Sequence, residues 1–394
     1  MSTRIVESFT CTMPWRTDNQ VELLADGDQF FPRMLEAIDD ARESVDIEMY
    51  LFESGFTTNR FISRLASAIT RGVSVRLLLD YFGSYRLAQK DVLRIRELGI
   101  ELRFFNRIRR HKLLRNLSRD HRKILITDRK RAFVGGAGIT DEFSPRVSGH
   151  QAWRELMVEI RGPVVSDWQI LFERTWANHD AIHAEALRER VLRYQQPAFN
   201  AHHMNREIPQ ARVNATRGLG NKPIMGALLS EIRKADAIIW ISTAYFFPSG
   251  KLLKLLRKAA LRGVDVRLLL PGPFTDHPSV RLAGRTWYAA LLRDGVRIYE
   301  YQPRVLHMKL ALVDDWCSIG SCNFDRWNLR WNLEANLEVI DTAFTRNVKS
   351  MLVNDFTHSI EYTLEKWGQR SRWMKMREYF WKYIGLILNR LTNQ

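Results

Sequence analysis

Two short stretches carry side chains that can do chemistry together. One is His121-Arg122-Lys123 followed, after four residues, by Asp128; the other is His307-Met308-Lys309 followed at the same spacing by Asp314. Residues two apart in an extended segment point to the same side, so each stretch presents an imidazole beside an ammonium group. Imidazoles serve as nucleophile and as general acid or base. Two ammonium groups with nearby donors can hold an anionic phosphoryl group through its transition state. A lone His-x-Lys means little in a chain with 60 Lys and Arg residues. Two copies with matched flanks point to one paired site.

The flanks predict how these residues are positioned. Ile124-Leu125-Ile126 and Leu310-Ala311-Leu312-Val313 are apolar runs, each read as a buried strand with polar residues at its start and an Asp at its end. Gly135-Gly136-Ala137-Gly138 and Gly320-Ser321-Cys322-Asn323 follow, small residues that let backbone approach a ligand closely. Upstream, helical spacing over 29–43, 59–70 and 86–98 alternates with strands at Val45–Phe52, Val73–Leu79 and Ile100–Phe105, which argues a layered α/β domain. Glu48 is the polar exception inside its strand and is a candidate neighbour of the site. Trp153–Ile160 reads as a further strand. Trp168, Phe172 and Trp176 read as core of the helix after it. Residues 1–20 show no periodicity and read as a loose arm.

The second half repeats the first. KADAIIWISTAYFFPSG at 234–250 parallels DARESVDIEMYLFESG at 40–55, and ALRGVDVRLLLP at 260–271 parallels ITRGVSVRLLLD at 69–80. Two similar domains are therefore expected, 1–205 and 206–394, packed about a pseudo-twofold axis that brings the two His–Lys strands into one composite site. The first half carries the longer insertion before its His. Between Arg107 and Lys123 it holds eight Lys or Arg residues and one acid, Asp120, which reads as a basic approach to His121.

Composition narrows the partners. Hydrophobic residues at 45% supply full cores, and a formal charge of +16 favours an anionic partner, nucleic acid or an anionic membrane surface. Three Cys residues make no disulfide framework, and Cys317 and Cys322 lack companions at zinc spacing. His202-His203 has no acidic or Cys partner nearby. No signal peptide and no stretch of 18 apolar residues is evident, so a membrane substrate has to be met from the side.

The paired segments resemble the HxKxxxxD signatures of the phospholipase D superfamily. With ADGDQFFPRMLEAIDDARESVDIEMYLFESG at 25–55 and Asn332-Leu333-Glu334-Ala335-Asn336, the chain is similar over about residues 20 to 365 to bacterial cardiolipin synthases lacking an N-terminal membrane anchor. The resemblance implies an α/β fold of two phospholipase D-type domains of α/β/α layers. It implies His121 as the nucleophile that forms a phosphohistidine, and His307 as the acid and then the base. Lys123 and Lys309 are expected to neutralise the non-bridging oxygens, and Asn323 to donate to them. Asp128 and Asp314 are expected to support the site, by orienting the opposite His or by anchoring loops. Glu155 and Glu334 are candidates to hold the imidazole tautomers. Gly136, Ser321 and Arg122 complete the expected substrate-binding set. No metal or other cofactor is required, because the His and Lys residues supply nucleophile and countercharge.

Two departures from the family pattern stand out. The Asn expected after the first Gly pair is Gly138 here. The second motif also has one residue fewer between its Asp and its Gly run, which is expected to shift Asn323 slightly. The acceptor decides the reaction class: water gives a phospholipase or nuclease, and the hydroxyl of phosphatidylglycerol gives cardiolipin. The resemblance favours the second, with phosphatidylglycerol as partner lipid, phosphatidylethanolamine or cardiolipin as further candidates, and a peripheral place on the cytoplasmic face of the inner membrane. Nucleic acid is the rival partner, and the oligomeric state is open. In the tail, Trp373, Met376, Phe380, Ile384, Ile387 and Leu391 form an apolar stripe at helical spacing, read either as an interfacial helix or as one docked on protein.

Overall fold

The computed structural model describes residues 12–108, 116–177, 208–216, 223–324 and 332–391, with side chains of the last segment followed to 384. Among these residues the strands form two sheets. The first half contributes β1 (Gln20–Ala25), β2 (Ser44–Met49), β3 (Ser74–Asp80), β4 (Glu101–Phe105), β5 (Lys123–Thr127), β6 (Arg131–Gly135) and β7 (Leu156–Arg161). The second contributes β8 (Gln210–Ala215), β9 (Ile238–Thr243), β10 (Asp265–Pro271), β11 (Arg297–Tyr301), β12 (Lys309–Val313), β13 (Trp316–Gly320), β14 (Ala335–Ile340) and β15 (Ser359–Tyr362).

The strand orders are β1-β7-β6-β5-β2-β3-β4 and β8-β14-β13-β12-β9-β10-β11-β15. Apart from β15 the two orders are one topology used twice. In both, two parallel pairings, β2–β3–β4 and β9–β10–β11, give way to antiparallel pairing at the motif strands β5 and β12. Helices such as Gly27–Asp40, Phe56–Thr70 and Gly250–Leu261 complete the α/β architecture. The expected domain boundary near 205 falls outside the described residues, as do His202, His203 and Cys11.

Each motif strand is buried on both faces. Leu125 joins the core of its own half, while Ile124 and Ile126 join a core shared by both halves. Ala311 and Val313 likewise face their own half, and Leu310 and Leu312 the shared core. That is why both runs are apolar throughout rather than alternating. Trp168, Phe172 and Trp176 lie in the shared core. The helix Val164–Ala177 packs on β8 of the second half, and the helix Thr342–Thr357 packs on β1 of the first. The two exchanges are the pseudo-twofold partners of one another.

Two regions differ from the expectation. Residues 12–19 are no loose arm: Thr12 and Arg16 bridge to Asn214 and Ala211, and the Arg16 guanidinium pairs with buried Asp167 at 2.9 Å. The next residues form β1, a sheet-edge strand whose exposed positions dilute the apolar alternation. The missing residue of the second motif also has a structural place. The β5–β6 hairpin closes over Asp128-Arg129-Lys130, the β12–β13 hairpin over Asp314-Asp315. Beyond the hairpins the registers match again, Gly135 opposite Met157 and Gly320 opposite Asn336. The length difference is absorbed at the turn and does not displace Asn323.

Candidate active site

The site forms where the two halves exchange backbone hydrogen bonds. His121 N–H donates to Leu333 O at 2.9 Å, and His307 N–H donates to Arg154 O at 2.9 Å. Leu333 N–H donates in turn to Arg119 O, and Arg154 N–H to Val305 O, both at 2.8 Å. Each His is thereby tied to the residue preceding a Glu of the opposite half. Nδ1 of His121 lies 3.0 Å from Oε2 of Glu334, and Nδ1 of His307 lies 2.6 Å from Oε2 of Glu155. With Nδ1 occupied by a carboxylate, Nε2 is the nitrogen left for chemistry.

The remaining groups are aligned around these pairs. Nζ of Lys309 lies 3.2 Å from Glu155 Oε2 and 2.7 Å from Nδ1 of His307, and donates to the His307 carbonyl. Nζ of Lys123 donates to the His121 carbonyl and sits 5.0 Å from the Tyr50 ring. Ser321 Oγ donates to Glu334 at 2.5 Å and fixes it. Among the described residues no hydroxyl donates to Glu155 in this way. A Cβ at Gly136, the position equivalent to Ser321, would come within 2.3 Å of the Glu155 carboxylate, so glycine makes the room that carboxylate fills. Asn323 is fully buried, and among the described residues neither amide atom has a partner. A buried amide left unpaired is costly, which fits a group reserved for a ligand.

Burial sets the electrostatics. His121 is held below its ordinary pKa by desolvation, with Glu334 opposing and Lys123 assisting. His307 is pushed well below its ordinary value, by burial and then by Lys309. Lys123 falls to about 7, through burial against the pull of Glu334 and with Lys309 adding repulsion. Lys309 is lowered by burial too, with Glu155 opposing. An anionic group placed between the two lysines would favour their charged forms against this burial.

Several expected site residues have other work. Asp128 accepts from the backbone N–H groups of Arg42, Glu43 and Ser44, at 2.7–3.1 Å. Asp314 does the same for Asp236, Ala237 and Ile238. Both carboxylates thus anchor the chain entering β2 or β9, and do not orient a His. Arg122 also turns away. Alternation places it on the opposite face from His121 and Lys123, where it meets Glu48 at 3.2 Å, Thr175 at 2.9 Å and the Thr216 carbonyl at 3.0 Å. Its counterpart is Met308, a core residue. Glu48 accordingly lies behind the site rather than in it. Arg119 is also buried, 3.8 Å from Asp80; the centre of the basic stretch, 109–115, lies outside the described residues.

Sequence reasoning missed the aromatic walls. Tyr50 meets the His121 ring edge-on at 4.7 Å, and Trp153 and Phe143 stand 5.1 and 5.5 Å from the His307 ring. The Tyr245 ring is 6.4 Å from that of His307, and its hydroxyl donates to Asp276. Tyr50 immediately follows β2 and Tyr245 lies just past β9, but apolar patterning gives an aromatic at a strand end no distinguishing mark.

Comparison with known proteins agrees with this geometry. The chain matches the family described as "Cardiolipin synthase, PLD-like domain" over residues 34–176 and 228–356. Cardiolipin synthase B of Salmonella typhi is 35% identical over 360 residues, covering 89% of this chain and 85% of that protein. Cardiolipin synthase 1 of Bacillus cereus is 30% identical, covering 93% and 72%. A crystal structure of phosphatidylserine synthase from Haemophilus influenzae Rd KW20 superposes with a TM-score of 0.74 at 12% identity, covering 96% of both chains. That last likeness is one of fold. Two HxKxxxxD segments, a duplicated sheet and these matches together place the chain in the phospholipase D superfamily, in its family of cardiolipin-synthase-type PLD-like domains.

Proposed function

We propose that the protein is a cardiolipin synthase, transferring a phosphatidyl group to the hydroxyl of phosphatidylglycerol through a phosphohistidine. The observation that supports it most is the reciprocal clamp: each motif His has Nδ1 held by a Glu of the opposite half. Such a clamp orients Nε2 and stabilises the charge the ring gains in reaction.

In the first step Nε2 of His121 attacks phosphorus. The bond from phosphorus to the leaving alcohol breaks, and His307 Nε2–H gives its proton to the departing oxygen. In the second step His307 takes the proton of the acceptor hydroxyl, the new oxygen attacks phosphorus, and the phosphorus–nitrogen bond breaks. With phosphatidylglycerol as donor and acceptor the products are cardiolipin and glycerol. His121 is assigned the attack by the resemblance of the chain to the phospholipase D superfamily, whose first-motif His takes that role. Lys123, Lys309 and Asn323 would face the non-bridging oxygens. Glu155, Glu334 and Ser321 position the rings, with Gly136 making space for Glu155. Among the described residues no helix is long and apolar enough to cross a membrane, and the reading puts the enzyme on the cytoplasmic face of the inner membrane as a peripheral protein.

The test is a product assay on phosphatidylglycerol vesicles, with and without phosphatidylethanolamine, beside a plasmid DNA control. Cardiolipin formation that disappears in His121→Ala and in His307→Ala is the expected result. Phosphatidic acid alone would mean hydrolysis. Nicked plasmid without lipid product would transfer the site to nucleic acid, for which the charge of +16 is the argument.

A further inference from the structure

The C-terminal helix, Arg372–Leu391, is mounted the wrong way round for a soluble protein. An amphipathic surface helix ordinarily turns its apolar stripe to the core. Of the stripe, Trp373, Met376 and Phe380 are 64%, 57% and 58% exposed, and Tyr383 beside them 62%; Ile384 is half-buried, and the side chains of Ile387 and Leu391 lie outside the described residues. The opposite face holds the helix down through charge. Glu378 is buried between Arg285, at 3.2 Å, and Arg370, at 2.6 Å, and Lys382 lies over the Trp287 ring. The stripe is thus left free while ion pairs and the Lys382–Trp287 contact hold the opposite face.

We propose that this stripe enters the surface of an anionic phospholipid bilayer and holds the composite site against the membrane. Three features favour a lipid surface over other occupants. At about 3.6 residues per turn, Arg372 and Arg377 fall one on each side of the stripe, where cations reach lipid phosphates. The stripe mixes Trp and Tyr with Met and Phe, the composition of an interfacial helix. A second copy seated on the same face would set two helices of like charge together, each with Arg372, Lys375, Arg377 and Lys382 against the single buried acid Glu378 over residues 372–384, an unfavourable meeting. Position adds a further argument. The helix packs along Pro278–Arg285, which begins two residues after Asp276. Asp276 bonds Tyr245 beside His307 and acts electrostatically on both His307 and Lys309. A bilayer under the helix is therefore next to the second-half lip of the site. That consequence rests on the phosphatidyl-transfer reading; the docking itself does not.

The experiment uses the full chain and the triple variant Trp373→Ser/Met376→Ser/Phe380→Ser. Binding is read by flotation with vesicles of equimolar phosphatidylglycerol and phosphatidylcholine, and with phosphatidylcholine alone. Turnover is read on the same vesicles and on dihexanoyl-phosphatidylglycerol below its micellar concentration. The parent should float with anionic vesicles only. The variant should lose binding by at least about 10-fold, and vesicle turnover with it, while keeping turnover of the monomeric lipid. Leu261→Ser, which removes an apolar side chain 70% exposed elsewhere, should behave as the parent. Unchanged flotation of the triple variant overturns the proposal. So does a parent dimer that the variant converts to monomer with vesicle binding intact. A parent that floats but turns over neither lipid supports the docking and counts against the transferase reading instead.

Discussion

Oε2 of Glu155 lies 2.6 Å from Nδ1 of His307, although the two residues belong to opposite halves of the chain. Glu334 and His121 repeat the relationship at 3.0 Å. Neither imidazole is complete within its own half, so correct packing of the halves is a condition for chemistry. Glu155→Gln keeps the shape and removes the charge that supports a protonated His307. We expect kcat on phosphatidylglycerol to fall by about 10²-fold with KM changed little, and Glu155→Asp to recover less than the parent. Steady-state kinetics on vesicles separate the two constants. A loss confined to KM would mean that Glu155 contacts lipid instead.

The order of the two histidines is open to a trapping experiment. With a phosphatidyl donor whose leaving group needs no protonation, such as a nitrophenyl ester, His307→Ala should still form the covalent intermediate and should release it slowly. Acid quenching destroys a phosphorus–nitrogen bond, so the label must be acid-labile and stable to base. His121→Ala should trap nothing. Label retained in His121→Ala and lost in His307→Ala would reverse the assignment.

Asp128 predicts a stability effect. Its carboxylate receives three consecutive backbone N–H groups at the entrance to β2, and its own φ of 51° puts it in the left-handed region, as does 50° at Asp314. Asp tolerates that conformation better than most residues. Asp128→Ala should cost on the order of 2 kcal/mol, seen as a lower denaturant midpoint. Folded variant should retain kcat within a few-fold. A loss of kcat as large as that of His121→Ala would return Asp128 to the reaction.

The duplication was legible because both halves keep the same apolar runs and the same glycines after their helices, and the topology follows from them. The His and Lys positions were legible from spacing. Arg122 was misplaced by adjacency, yet the alternation that puts His121 and Lys123 on one face already puts Arg122 on the other. The Asp roles could not be read: an Asp ending a strand looks alike whether it faces an imidazole or the next loop, and only the packing of β5 beside β2 decides. Glu155 and Glu334 could be named only as candidates; it is the structure that puts each directly before a strand, β7 or β14, in equivalent places. Their partners lie across the axis, 152 and 213 residues away, beyond any local pattern.

Gly138 stands where the second half has Asn323. A Cβ there would lie 2.5 Å from Leu51 Cβ and 2.9 Å from the Leu51 carbonyl oxygen. Part of that clash is with backbone, so trimming Leu51 does not relieve it. Gly138→Asn should therefore destabilise by about 1–3 kcal/mol and give no gain in turnover, measured by denaturant unfolding and the cardiolipin assay. A stable, faster variant would show that the first half can accept a second amide donor.

Lys123 makes the pH profile diagnostic. Its pKa is lowered to about 7, chiefly by burial, so the free enzyme loses this cation as pH rises through 7. His121 is depressed as well, so it stays neutral and nucleophilic to somewhat below its ordinary 6.5. The profile of kcat/KM reports free-enzyme groups. Its acid limb belongs to His121, below about 6.5; its alkaline side combines loss of the His307 proton, whose pKa burial and Lys309 hold well below the ordinary value, with a further fall from about 7, where an uncharged Lys123 no longer attracts the phosphodiester. The alkaline loss should appear in KM more than in kcat, because bound phosphate stabilises the ammonium form. Lys123→Arg carries a charge that persists through this range. It should be slower overall, since a guanidinium does not fit the ammonium site, but the decline beginning near 7 should vanish. If the variant keeps that decline, the titrating group is His307 or Lys309, and Lys123 is charged throughout.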